Sequence, residues 1–220
     1  QVRRTERLAA LGQLTGGIAH ELRNPLGVIR GSAELLVKNT SADNEIAREM
    51  AALIAREVDR TNSLVTRFLD FARPTTLHRS RASLPEVLQR AAKGFPIETE
   101  WAPDLPHFSF DEELMERVFV NLFSNGAQAM PNGGILRVRA WRHDDQAVVE
   151  VADTGSGIAP ENLESIFNPF FTTKPDGVGL GLAIVSKIVD DHGGKITVES
   201  QPGRGATFRV SLPLTDAIGP

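Results

Sequence analysis

His20, Glu21 and Asn24 form the first cluster able to do chemistry, in the run Gly16-Gly17-Ile18-Ala19-His20-Glu21-Leu22-Arg23-Asn24-Pro25. On a helix advancing about 100° per residue, His20 lies roughly 200° from Ile18, so its imidazole points away from the apolar seam. Asn24 comes back to within about 40° of His20, with Glu21 toward one flank and Arg23 toward the other. Neutral imidazole has one nitrogen free to attack, and a carboxylate holding the proton of the other raises basicity and fixes the tautomer. Glu21 suits that second role. Asn24 does not ionise but can orient a water or a phosphoryl oxygen. Taken alone, the same spacing also describes an exposed histidine on an ordinary helix. Inside a helix Pro25 costs on the order of 3 kcal/mol, which predicts a kink just beyond the candidate nucleophile. No second histidine or carboxylate cluster has ligand spacing with His20, which disfavours a metal there.

A second set of residues suits a nucleotide. Asp153-Thr154-Gly155-Ser156-Gly157-Ile158 follows an apolar strand pattern. A strand-end carboxylate beside glycines that permit close approach can accept from the exocyclic amine of adenine. Gly177-Val178-Gly179-Leu180-Gly181-Leu182 leads into a helical pattern, and backbone N–H groups at a glycine-rich helix start suit phosphates. The spacing departs from the Rossmann fingerprint and the chain has no P-loop motif. Between the two lies Phe167-Asn168-Pro169-Phe170-Phe171-Thr172-Thr173-Lys174-Pro175, whose aromatics and prolines predict a lid. Asn121 and Asn125 are four apart on a predicted helix, near Arg117 and Gln128; their carbonyl oxygens could hold Mg²⁺, with triphosphate and water completing the octahedron. Singly, each piece also reads as a turn, a cap or a solvated helix face.

The elements that must position these residues fall into two regions. Of 13 prolines, only Pro25 lies in residues 1–73. There Leu8, Leu11, Ile18, Leu22, Ile29, Ala33 and Leu36 make a helical seam. Asn39-Thr40-Ser41 breaks it, Ser41 or Asp43 is the expected cap of the next helix, and a second seam runs through Met50, Ile54, Thr61, Leu64, Phe68 and Phe71, widened by Leu53, Val58 and Val65. Two antiparallel helices cannot enclose their own apolar faces, so pairing with a second copy into a four-helix bundle is expected; packing on the C-terminal domain is the alternative. From Pro74 onward, helices are predicted at Leu84–Phe95, at Glu112–Met130 with Asp111 as N-cap, and at Leu180–Asp191. Strand pairs are predicted at Ile135–Trp141 with Ala147–Ala152, and at Lys195–Ser200 with Ala206–Leu212. The pattern implies an α/β sandwich with helices on one face of a mainly antiparallel sheet.

Composition narrows the class. The chain has 220 residues, 41% hydrophobic and 24% charged, values of a folded rather than disordered protein. A net charge of −4 argues against a nucleic-acid or anionic-membrane binder. With Cys 0, disulfides, thiolate chemistry and zinc ribbons are excluded. No window reaches the roughly 18 to 20 apolar residues of a membrane span, and no signal-peptide pattern opens the chain. Opening on Gln1 inside a helical pattern, the sequence reads as a fragment; any sensor or membrane anchor is expected upstream, with this part cytoplasmic.

In combination, the motifs resemble the cytoplasmic core of bacterial two-component sensor histidine kinases over essentially the whole length. The first region is similar to the family's dimerisation and phosphoacceptor module through His20-Glu21-Leu22-Arg23-Asn24-Pro25. The second resembles the GHKL ATP-binding domain through Asn121-Leu122-Phe123-Ser124-Asn125, Asp153-x-Gly155-x-Gly157, Phe167 to Lys174, Gly177-x-Gly179-x-Gly181 and Gly203-x-Gly205-Ala206-Thr207-Phe208. The short lid resembles the nitrogen-regulation-type branch.

The resemblance implies a dimeric four-helix bundle from residues 1–73 and a Bergerat-type α/β sandwich from residues 77–216, binding ATP·Mg²⁺ under the lid. It implies that Asp153 contacts adenine and that Asn125 coordinates Mg²⁺. Gly179 and Gly181 would shape the phosphate loop, and Asn121, Gly155, Gly157, Thr173, Lys174, Gly177, Leu180 and Thr207 would complete the nucleotide site. His20 would take the γ-phosphoryl group with Glu21 as base, then pass it to an aspartate of a response regulator; Asn24 would support regulator dephosphorylation. Gly126 departs from the family's usual alanine and is expected to weaken the helix locally. Two other readings share the motifs: a nucleotide-sensing scaffold that has lost transfer, and a GHKL ATPase doing mechanical work. His20, Glu21, Asn125 and Asp153 together speak against the first. Asparagine at position 121, where related hydrolases carry a water-activating glutamate, speaks against the second.

Overall fold

The computed structural model describes residues 26–38, 44–72, 76–102, 105–174, 177 and 179–215. The chain divides into two compact units, Gln1–Pro74 and Thr75–Pro220.

The described part of the first unit is two helices, α1 over 26–38 and α2 over Glu45–Ala72. The cap of α2 is Asn44, whose Oδ1 accepts from the Ala47 amide at 3.2 Å, rather than Ser41 or Asp43, which lie outside the described residues. All three types can cap; Asn44 is the one adjacent to the first helical residue. Arg30 of α1 reaches Asp59 of α2 at 2.7 Å, and Ala33, Ala51 and Val58 are buried. The small alanines let the helices approach. Other seam residues stay open: Met50 is 54% exposed, Leu36 56% and Ile54 42%. Among the described residues, the two helices therefore leave much of the apolar stripe exposed within one chain. Leu8, Leu11, Ile18, Leu22 and Pro25 lie outside the described residues, as do the side chains of Leu64, Phe68 and Phe71.

The second unit is built on a five-stranded sheet. The unit as a whole has seven strands among the described residues: β1 (Ser80–Ala82), β2 (Ile97–Trp101), β3 (Phe108–Phe110), β4 (Leu136–His143), β5 (Gln146–Asp153), β6 (Lys195–Ser200) and β7 (Ala206–Pro213). The sheet order is β2-β4-β5-β7-β6, with β1 and β3 forming a separate antiparallel pair. All pairings in the large sheet are antiparallel except β2 with β4. Three strands, β1, β2 and β3, escaped the sequence reading; each is short, and only the alternation in Ile97-Glu98-Thr99-Glu100-Trp101 and Phe108-Ser109-Phe110 marks two of them.

Helices α3 (Leu84–Ala91), α4 (Glu112–Ala129) and α5 (Gly181–Asp191) supply the other layer. Helix α3 stops before the expected Phe95, because Lys93 and Gly94 turn the chain, with Gly94 at φ +87°. Phe95 then packs edge-on against Phe123 of α4, 6.1 Å between centroids. The core lies between the layers: Leu88, Met115, Phe119, Leu122, Val185 and Val189 from the helices meet Val138, Val149, Phe208 and Val210 from the sheet. Alternation along β5 turns Ala147, Val149 and Val151 inward, and the same parity sends Asp153 toward the helix side.

The opposite face of the sheet carries charge. Glu100, Arg139, Glu150, Arg209 and Glu199 run across β2, β4, β5, β7 and β6 in alternating sign, with successive contacts of 3.2, 3.8, 2.8 and 2.6 Å. Charges opposite one another on neighbouring strands favour this register.

Asp111 caps α4 as expected, its Oδ1 accepting from the Leu114 amide at 3.1 Å. Its Oδ2 accepts from the His78 amide at 2.8 Å, tying the entry segment to the helix start. Asp111 itself is buried, and truncating it removes the acceptor of both amides at once. Asp111→Ala is therefore expected to cost about 1–2 kcal/mol, read as a lower urea midpoint with an unchanged slope.

Candidate functional site

Asp153, at the end of β5, faces the C-terminal half of α4. Its Oδ1 accepts two backbone amides, Gly155 at 2.9 Å and Ala206 at 3.3 Å. Its Oδ2 has no hydrogen bond among the described residues. Burial pushes this carboxyl above its ordinary value, opposed by the two amides. The result is a half-buried acceptor with one oxygen fixed and one open.

Glycines let the surrounding loops close on this carboxylate. Gly155 lies so near α4 that a Cβ would come within 2.6 Å of the Ala129 carbonyl oxygen, and the Ser156 amide donates to that same oxygen at 3.1 Å. Gly157, at φ +69°, sits directly on the Gln201 carbonyl of the β6–β7 turn. The Gly203 amide donates to the Ser156 carbonyl at 2.7 Å. Ser200 Oγ accepts from the Ile158 amide at 2.8 Å and donates to the Gly205 carbonyl at 2.7 Å. The two loops are thus stitched together around Asp153, with Thr207 just beyond on β7 opposite Ala152. Ser200 was not legible as a site residue: a lone serine at a strand end has no distinguishing pattern, and its partners are distant in sequence.

The second half of the site joins α4 and the start of α5. Asn121 Nδ2 donates to the Arg117 carbonyl at 2.8 Å, which aims Oδ1 toward α5, 3.3 Å from where a Cβ of Gly181 would stand. Asn125, one turn on, is half-buried, and its side chain has no hydrogen bond among the described residues. The N-cap of α5, Leu180, is buried and provides no side-chain cap, which leaves the first amides of that helix to an outside acceptor. Gly126 is buried between these groups: a methyl there would meet Leu136 Cδ1 at 2.7 Å and Asp153 Cβ at 3.5 Å. Leu136 occupies the space an alanine would need, so the glycine has a packing reason beyond its helix penalty.

The predicted lid is folded onto the glycine loop. Phe170, 58% exposed and at φ +67°, donates its amide to the Gly179 carbonyl at 2.9 Å. Gly179, at φ +68°, would place a Cβ 2.5 Å from the Phe170 carbonyl carbon. Gly177 abuts Thr172 and Lys174. Lys174 Nζ donates to Gln128 Oε1 on α4 at 2.6 Å, and partial burial lowers its pKa. Thr173 is exposed on the same segment. Gln128, placed near the asparagine face from the sequence, thus connects the lid to α4.

The residues fit a nucleotide and a hard cation. An open carboxylate oxygen suits an amine, uncapped helix amides suit phosphate, and amide oxygens suit Mg²⁺. No group of three His, Cys, Asp or Glu able to hold a metal occurs among the described residues, so the cation would draw ligands from phosphate and water. His20, Glu21 and Asn24 lie outside the described residues.

This arrangement defines a class, a helical phospho-acceptor module joined to a GHKL-type ATP-binding domain of Bergerat architecture. Residues 10–77 match the His kinase A (phospho-acceptor) domain, and residues 110–216 match the histidine kinase-, DNA gyrase B-, and HSP90-like ATPase family. The chain belongs to the sensor histidine kinase family. Sensor histidine kinase ZraS of Klebsiella oxytoca is 40% identical over 96% of this chain, which spans 48% of that protein. The chain therefore spans about half the length of the curated relatives it matches.

Among solved structures, full-length ShkA in complex with AMPPNP has a TM-score of 0.72 at 30% identity, covering 94% of this chain and 47% of ShkA. Histidine kinase ThkA in complex with the response regulator TrrA has a TM-score of 0.65 at 29% identity, covering 96% of this chain and 64% of ThkA. The nucleotide-free catalytic domain of ThkA has a TM-score of 0.56 at 30% identity, covering 64% of this chain and 97% of that domain.

The loop interlock yields a paired test. Gly157 and Gly203 both have positive φ, but a Cβ at 203 meets nothing within 4 Å whereas one at 157 overlaps the Gln201 carbonyl. Gly203→Ala should cost only the left-handed penalty of about 1–2 kcal/mol. Gly157→Ala should cost at least about 1–3 kcal/mol more, a difference measured by urea unfolding of the two variants.

Proposed function

We propose that this chain is an ATP-dependent protein-histidine kinase core acting in two-component signalling, in the cytoplasm. The observation that carries the nucleotide reading is the Asp153 carboxylate, one oxygen held by the Gly155 and Ala206 amides and the other open inside a glycine-lined cradle. In this reading the open oxygen accepts from the adenine amine, and Gly155, Gly157 and Thr207 shape the base pocket. The amides around Gly177, Gly179, Leu180 and Gly181, with Thr173 and Lys174 of the lid, hold the phosphates, while Asn125 supplies an oxygen to Mg²⁺ beside Asn121. Bound ATP supplies an electrophilic γ-phosphorus with ADP as leaving group. His20 supplies the attacking nitrogen and Glu21 holds the proton of the other ring nitrogen. The phosphoryl group then passes to an aspartate oxygen of a receiver domain, regenerating neutral His20, and Asn24 orients water for the reverse activity, regulator dephosphorylation.

Support for the phosphoacceptor role lies in the match of residues 10–77 and in the placement of His20 off the apolar seam. A second copy of the chain covers the exposed stripe of Leu36, Met50 and Ile54, making the homodimer. The likeness to ThkA in its complex with TrrA favours a response-regulator partner. No helix among the described residues is long and apolar enough to cross a membrane, and a net charge of −4 disfavours a nucleic-acid partner.

With γ-labelled ATP and magnesium, the chain should acquire an acid-labile label that His20→Ala abolishes and Asn24→Ala retains. Label surviving in His20→Ala would overturn the site. Steady ATP turnover without label would favour a GHKL hydrolase. Asp153→Asn tests the base contact separately. Its amide would turn a donor toward the adenine amine, costing about 3 kcal/mol or roughly 100-fold in ATP affinity. Because the native carboxyl is raised, its charge opposes folding once the pH exceeds its ordinary value. The variant should therefore melt no lower than wild type at neutral pH, checked by calorimetry.

A further inference from the structure

His192 ends α5 at 4% exposure, far in sequence from the nucleotide motifs. Its Nδ1 lies 2.8 Å from the Ile188 carbonyl oxygen, and its Nε2 lies 3.1 Å from the Asp111 amide nitrogen. The carbonyl needs a donor and the amide needs an acceptor, so the ring is neutral with its proton on Nδ1. This hydrogen bond joins the C-terminal turn of α5 to the N-cap of α4. The two helices run antiparallel, and at their other meeting point Asn121 Oδ1 faces Gly181. The two contacts are about 15 Å apart, from Asp111 to Asn121 along one helix and from Gly181 to His192 along the other, at roughly 1.5 Å per residue.

Interdigitating apolar side chains set how two helices cross, and a directional bond at one end further specifies their lengthwise alignment. We propose that His192 is a positioning residue of the nucleotide site: neutral, it pins α5 to α4 lengthwise and so holds the start of α5 opposite Asn121 and Asn125. This rests on the nucleotide reading above. A protonated ring would turn Nε2–H against the Asp111 N–H and break the pin.

Every nearby charge bears on that titration. Arg79 reaches the Asp191 carbonyl at 3.4 Å, Asp191 pairs with Lys187 at 2.9 Å, and Asp190 adjoins them. Asp111 presents its carboxylate from α4, with His78 bonded to it through the backbone. Burial lowers the His192 pKa from 6.5, aided by Arg79 and opposed by the Ile188 carbonyl, Asp111 and Asp191. For a histidine so lowered, stabilisation by the neutral form is complete above the ordinary value and is lost as pH falls through 6.5 toward the native value.

The test uses the full chain with Mg²⁺ and AMPPNP as probe. At pH 8, His192→Phe, which keeps ring volume without an acceptor, should bind roughly tenfold more weakly. His192→Gln, whose carbonyl can accept from Asp111, should restore binding and should lose less affinity than wild type on acidification. Asp153 and the nucleotide phosphates titrate alike in both proteins, so the ratio isolates His192. Without nucleotide, ¹⁵N-labelled wild type should show scalar coupling between Asp111 N and His192 Nε2. That coupling should vanish on acidification together with a shift of the distant Gly181 amide, a reading that stands even if His192→Phe fails to fold. Equal AMPPNP affinity in His192→Phe, or a static Gly181 amide while His192 titrates, overturns the role of His192 alone. Failure of wild type to bind AMPPNP overturns the nucleotide reading and the role with it.

Discussion

A carboxylate with one oxygen held by backbone amides and the other left open organises the second unit. Asp153 Oδ1 is satisfied by amides from two separate loops, Gly155 on its own chain continuation and Ala206 at the start of β7. Burying a charge without such partners is costly, so the loops must close to within hydrogen-bond distance on both sides. That closeness dictates glycine at 155, 157 and 205, where side chains would overlap Ala129, Gln201 and Asp153 backbone atoms. The walls of the pocket are therefore backbone against backbone. The same constraint explains why β5 and β7 are neighbours in the sheet: the second amide has to come from an adjacent strand.

The other wall is made of helices, and there the chain relies on direction rather than closeness. Antiparallel α4 and α5 bring an amide side chain to the uncapped start of α5. The lid rests between these two kinds of wall. Its Phe170 adopts a left-handed backbone that costs a bulky residue energy, offset by the bond to Gly179.

Much of this was legible in the residues, for identifiable reasons. Asp111 stood directly before a long amphipathic run, and a cap is a local interaction, so the start of α4 was readable. Likewise a carboxylate followed by two glycines after an apolar strand made close backbone approach at Gly155 and Gly157 readable, and both glycines lie against neighbouring backbone. Strands β1 and β3 were not, since three residues carry too little alternation to stand out, and β2 is an edge strand whose parallel partner lies far along the chain. The cap of α2 fell to Asn44 within a run of polar residues any of which could serve. Ser200, Gln128 and His192 act through partners more than 40 residues away, Ile158, Lys174 and Asp111. No periodicity encodes such encounters.

The charged row across the outer sheet face has a consequence for crowding. From Glu100 to Glu199 each charge is met by a neighbour on the next strand, and Glu150 serves two arginines at once. Singly such pairs contribute little to stability. As a continuous row, however, they leave the line of charges nearly neutral, three glutamates against two arginines, with one carboxylate in excess. Two such rows meeting face to face bring together the same excess of negative charge, which works against lasting contact through them.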